Sequence, residues 1–138
     1  EQKITLFYNH SFTEIIKGFD NMKPFTGHQM PLLPQNTFSG NWNCKIKHWE
    51  TELSGRFTGE RSSSDIFDIL PGYLLIDLSC QYELDLGKKR KEYLENTISL
   101  RGGIRNLFDI EYQNLPYRSM PGRNFSIGAK WNIGKGKR

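Results

Sequence analysis

Few residues in this chain have the types and spacing that chemistry needs. The three imidazoles, His10, His28 and His48, stand far apart and show no metal-ligand interval. Cys44 and Cys80 lack the CxxC spacing of zinc and redox sites. Gly134-Lys135-Gly136-Lys137 has neither the spacing nor the strand-to-helix setting of a phosphate loop. There is no nucleophile elbow and no HExxH. The sequence therefore predicts no catalysis, no resident metal and no cofactor. What remains is recognition. Tyr112, Tyr117, Arg118 and Met120 lie close together. Aromatic rings beside a guanidinium suit a bulky, partly anionic ligand, and equally suit a loop packed on itself. Phe67, in the preceding long loop, has the same two readings. His28, with Phe25 and Met30 nearby, is either a ligand contact or an ordinary loop residue.

The elements that position these residues follow from composition and period. The chain has 138 residues, a formal charge of +4 and 36% hydrophobic residues, with a mean hydropathy of -0.63. No apolar run approaches the roughly 20 residues of a spanning helix. The dense basic clusters, Lys88-Lys89-Arg90-Lys91 and Lys135-Gly136-Lys137-Arg138, read as a turn and a tail. They lack the interleaved aromatics of a nucleic-acid face, so no nucleic-acid partner is expected. Aromatics at 13% and 13 glycines suit a β protein with many turns.

Alternation is the dominant signal. Phe125, Ile127, Ala129, Trp131 and Ile133 alternate with Asn124, Ser126, Gly128, Lys130 and Asn132, which is a strand with one apolar and one polar face. The same period runs through Leu74 to Leu86, Thr97 to Arg105, Phe38 to Ile46, and Trp49 to Thr58. It is weaker in Ile4 to Phe12, where Phe7 interrupts the polar face. These are six candidate strands. No stretch carries a helical period; Gly18 and the β-branched Ile15-Ile16 argue against a helix near residues 11–19.

The connections alternate in length. Lys47-His48 is a tight turn and Gly87 to Glu95 a short charged hairpin. Lys17 to Thr37, Gly59 to Gly72 and Asn106 to Gly122 are long. An up-and-down sheet then carries its long loops at one end and its short turns at the other. That asymmetry, with charged groups such as Glu50, Glu52, Arg56, Asp77, Glu83, Arg101, Arg105 and Lys130 on one face, marks an outer-membrane barrel. A soluble barrel would turn its apolar face inward. Trp42, Trp49 and Trp131 fall on the apolar face, where they suit an interfacial girdle. Cys44 and Cys80 fall on strands that are not neighbours, about 9.6 Å apart. That exceeds disulfide reach and predicts free thiols.

The C-terminal third carries a family likeness. Asn106-Leu107-Phe108-Asp109-Ile110-Glu111-Tyr112, followed by Met120-Pro121-Gly122-Arg123-Asn124-Phe125-Ser126-Ile127-Gly128, resembles the closing strands of TonB-dependent outer-membrane receptors. Met30-Pro31-Leu32-Leu33-Pro34-Gln35-Asn36-Thr37 and Pro71-Gly72-Tyr73-Leu74-Leu75-Ile76-Asp77-Leu78 resemble two earlier strand entries of the same family. Together these motifs span essentially the whole chain. The family's usual terminal aromatic is replaced by Trp131 and Ile133, followed by Gly134 to Arg138.

The resemblance implies an all-β chain of about six antiparallel up-and-down strands, forming part of a 22-stranded transmembrane barrel wall. Six strands are fewer than the roughly eight that close a membrane barrel. The expectation is thus a C-terminal segment of a longer receptor, or a subunit completing another chain's barrel. The plug domain and remaining strands would lie outside these residues. The implied function is TonB-dependent import of a ferric siderophore, haem or corrinoid across a Gram-negative outer membrane. The implied partners are the rest of the barrel and plug, outer-membrane lipid, and TonB through the absent N-terminal part. The short turns would be periplasmic and the long loops extracellular. His28, Met30, Phe67, Tyr112, Tyr117 and Arg118 become the expected ligand-facing residues. Arg123 would anchor at headgroups or pair with a loop carboxylate. Arg101, Arg105, Asp77 and Glu83 would hold the plug or simply pair across strands. The competing expectation is a small soluble β-barrel or sandwich that binds a ligand or protein.

Overall fold

The computed structural model describes residues 1–16, 19–20, 23–24, 27, 29–63, 68–86 and 94–135. Six long strands form a single antiparallel sheet: β1 (Gln2–His10), β4 (Asn36–Ile46), β5 (Trp49–Thr58), β8 (Tyr73–Asp85), β9 (Leu94–Arg105) and β10 (Asn124–Lys135). Each pairs with its neighbour in sequence, in the order β1-β4-β5-β8-β9-β10. The architecture is all-β and up-and-down, and the sheet is open: β1 and β10 are its two edges. They run in opposite directions, β1 towards the long loops and β10 away from them. Two-residue pairings, β2 (Phe19–Asp20) with β3 (Lys23–Pro24) and β6 (Arg61–Ser62) with β7 (Ile69–Leu70), decorate the first two long loops. No helix occurs among the described residues, so none is long and apolar enough to cross a membrane.

The predicted strands match these elements to within a few residues. The first begins and ends two residues earlier than its alternation suggested, leaving Phe12 beyond β1. Most of the predicted hairpin from Gly87 to Glu95 lies outside the described residues. Lys47 turns the β4–β5 connection with a φ of 52°, in the left-handed region.

Register carries the alternation across the whole sheet. Ile4 pairs with Trp42, Trp42 with Leu53, Leu53 with Leu78, Leu78 with Ile104 and Ile104 with Phe125. One face is therefore apolar from edge to edge. Among the described residues no other element covers it, and Ile127 is 96% exposed. On the opposite face Leu75 is buried, at 9% exposure. Hollows of about 380 and 240 Å³ open there over Glu52, Asp77, Arg101 and Arg56. Among the described residues the apolar side is thus the open one and the polar side carries the hollows.

The strands also slide past one another. Leu6, the midpoint of β1, lies level with Gly40, Gly55 and Ile76. That row leaves β9 altogether, where Leu107 N–H bonds to Ile76 O at 2.7 Å. The midpoint of β10, near Ala129, lies level with Leu100, Tyr82, Trp49 and Ile46, beyond the end of β1. The slide is about six to seven residues over the five strand steps. At about 3.3 Å per residue and 4.8 Å per strand, it corresponds to a tilt of about 40°.

Two aromatic levels bound the apolar face. Tyr8, Phe38 and Phe57 pair in one row at the long-loop end. Phe125, displaced along the slide, falls level with Phe57. Trp49 lies at the short-turn end and packs on Tyr82, ring centroids 4.6 Å apart; Trp131 is close to the same level. Phe57 and Trp49 are eight residues apart on β5, about 20 Å in height once the tilt is allowed for. Trp42 departs from the girdle expectation. It pairs with Ile4 and Leu53 in mid-strand, between the two aromatic levels.

Cys44 and Cys80 both face Thr51, one from each side, and both are free thiols. The intervening strand keeps them two spacings apart, as predicted.

Candidate functional site at the long-loop end

The third long loop is held by its own side chains. Asn106 and Asp109 take left-handed φ angles of 52° and 55°, a conformation that asparagine and aspartate tolerate better than most residues. Asn106 is buried and bonds Ile110 twice: its Nδ2 donates to the carbonyl and its Oδ1 accepts from the N–H, both at 2.9 Å. Its own N–H donates to Asp77 Oδ1 at 2.9 Å, tying the loop to β8. Asp109 Oδ1 accepts from Arg123 N–H at 2.6 Å. The Asn-Leu-Phe-Asp and Pro-Gly-Arg segments thus close one knot at the ends of β9 and β10. Arg123 meets a loop carboxylate through its backbone N–H alone; among the described residues no carboxylate pairs with its guanidinium.

The second and third long loops meet at Arg61. This residue is only 4% exposed. Its Nη2 donates to Gln113 O at 2.6 Å, and its guanidinium lies 5.6 Å from the Tyr73 ring centroid. Tyr73 in turn packs on Tyr112, centroids 4.7 Å apart, and its hydroxyl donates to Asn114 Oδ1. Among the described residues no carboxylate pairs with Arg61. Carbonyl dipoles and a ring face hold the cation instead.

A hollow of about 210 Å³ lies below this cluster, on the polar face. Arg56 from β5, Arg105 from β9, Asp77 from β8, and Tyr112, Asn114 and Asn124 line it. A second hollow of about 580 Å³ opens within the third loop over Glu111, Tyr112, Ser119 and Met120.

The ligand-facing residues predicted from sequence are only partly assembled. Tyr112 lines both hollows. Tyr117 is 97% exposed at the loop tip with a φ of 58°, and neither it nor Arg118 lines either hollow. Met30 is exposed beside Thr13, Ile15 and Ile16, and its N–H donates to Thr13 Oγ1 at 3.3 Å. His28 and Phe67 lie outside the described residues. The plug-or-pairing question divides by residue: Arg101 pairs across strands with Glu52 and Ser79, at 3.4 and 3.1 Å. Among the described residues Arg105 has no ion pair, which leaves its plug-holding role untouched.

Sequence reasoning does not place Arg61, Arg56 or Arg105 among the ligand-facing residues, although it gives Arg105 a plug-holding or strand-pairing role. For the last two a signal existed. Both lie on the polar face near strand ends that face the long loops. Arg61 sits in the polar run Glu60-Arg61-Ser62-Ser63 and gives no sign of burial.

No known protein family matches the chain, and comparison with curated proteins finds no match.

Proposed function

We propose that this chain forms part of a transmembrane β-barrel wall in a Gram-negative outer membrane, as the C-terminal segment of a TonB-dependent receptor. One observation carries the reading: an apolar face that runs uncovered from edge to edge, bounded by two aromatic levels. Lipid is the medium that such a face requires, since in water it is an exposed patch far beyond what monomers tolerate. The tilt of about 40° and strands of 9 to 13 residues suit a span of the hydrocarbon core. The mixed charges of the opposite face suit a hydrated lumen or a plug. The family likeness of the closing strands supplies the rest: import of a bulky scarce nutrient, a ferric siderophore, haem or corrinoid, energised through TonB. The long loops then face the exterior.

The test is fractionation followed by uptake. The protein should stay with the outer membrane, require detergent for extraction, and migrate faster on gels before heating than after. Uptake of the nutrient should stop when TonB is removed. A monomer soluble without detergent, with Leu78 and Ile127 protected from solvent, would instead establish a soluble binding module.

A further inference from the structure

We infer that the hollow beneath Tyr112 receives the anionic end group of the ligand, a carboxylate carried on a ring-sized body, clasped between Arg56 and Arg105. The inference rests on the proposed import reading, which makes this end of the sheet ligand-facing.

Three observations carry it. First, the two guanidinium groups reach one hollow from either side of β8: Arg56 pairs with Leu75, and Arg105 follows Ile104, the partner of Leu78. Their backbones are about 12 Å apart, two strand spacings across and two residues along β8, and long side chains reach into that gap. Second, neither has an acceptor or a carboxylate within bonding distance among the described residues. The contrast is with Arg101, held by Glu52, and Arg61, held by Gln113 O. Third, the single carboxylate lining the hollow, Asp77, already accepts from Asn106 N–H. The lining carries two guanidinium charges against this one carboxylate, a balance of +1. Asn114 spends its Oδ1 on the Tyr73 hydroxyl, which leaves its amide N–H₂ as a donor there.

Asp77, on the strand between them, offsets only one of the two guanidinium charges, and a second anion in the hollow offsets the other. A carboxylate accepts from two guanidinium forks in its own plane. The volume of about 210 Å³ sets the size of the guest, since a cavity of about 150 Å³ accommodates a benzene ring. The hollow admits an end group of a larger molecule. It discriminates against ligands whose leading end is neutral.

Ligand-observed saturation-transfer NMR on the intact protein in detergent micelles tests this, with isophthalate as the anionic probe and isophthalamide as its neutral match. Isophthalate should bind saturably, and more weakly in 0.5 M salt, a screening concentration. Arg56→Gln and Arg105→Gln should each weaken it at least about tenfold. Lys130→Gln, on the same face far from the hollow, should leave it unchanged. Equal response to isophthalamide, no saturable signal, or indifference to both arginine substitutions would overturn the inference. Unchanged heat-modifiable migration of the variants shows that they still fold. An outer-membrane protein that ignores isophthalate sinks only this inference. A soluble protein that binds it through both arginines sinks only the import reading.

Discussion

The Asp109 carboxylate accepts a 2.6 Å hydrogen bond from the backbone N–H of Arg123. It thereby joins the residues that leave β9 to those that enter β10. Gly122 makes the approach possible: a Cβ at that position would stand 2.8 Å from Asp109 Oδ1. The two motifs of the family likeness, fourteen residues apart, are thus halves of one contact.

Substitution at either half should be costly. Asp109→Ala removes the acceptor and Gly122→Ala displaces it, each destabilising by about 1–3 kcal/mol. Asp109→Asn keeps an acceptor oxygen and should cost less. The temperature at which the heat-modifiable band converts is the readout. A Gly122→Ala protein as stable as the parent would refute the contact's importance.

Facing should decide tolerance of charge along β10. Ala129 lies on the apolar face midway between Phe125 and Ile133, and Gly128 on the polar face with open space around it. Ala129→Arg should destabilise insertion by about 2–4 kcal/mol, the cost of arginine near a bilayer midplane. Gly128→Arg should cost far less. Reversible unfolding in lipid vesicles measures both, and equal effects would contradict the assignment of faces.

Arg61 should govern loop order. Arg61→Met keeps bulk but abandons Gln113 O and the Tyr73 ring, a loss of about 1–3 kcal/mol. The second and third long loops should then become cleavable by external protease at lower concentration, while the strands stay protected. Unchanged cleavage would mean that the loops are held by other contacts.

Cys44 and Cys80 should resist oxidation to a disulfide. Mild oxidant should leave two titratable thiols, with Cys80 reacting faster than the buried Cys44. A mass loss of about two hydrogens would show that the register is wrong.

Much of the fold was legible in the sequence, because a period of two over ten residues has one reading and survives averaging. Hence Phe125 to Ile133 and Leu74 to Leu86 announced their strands. The two-residue pairings at Phe19–Asp20 and Arg61–Ser62 are too short to have a period. Trp42 shows a different limit. Its face could be read from its own strand, but its height depends on the slide between strands, which no single strand encodes. The site was less legible still. Arg61 is buried by a carbonyl 52 residues away, and backbone acceptors leave no mark in the sequence. Arg105 and Arg101 look alike as charges on one strand. Only the folded sheet separates them: Arg101 reaches diagonally to Glu52, and among the described residues Arg105 meets no carboxylate within pairing distance.

The opposed directions of the two edge strands impose a counting rule. The neighbour of β10 must run towards the long loops and the neighbour of β1 away from them, if both join antiparallel. On the barrel proposal, whatever closes the ring must therefore contribute an even number of strands. Added to six, the total is even. A partner supplying an odd number would force one parallel seam into the wall.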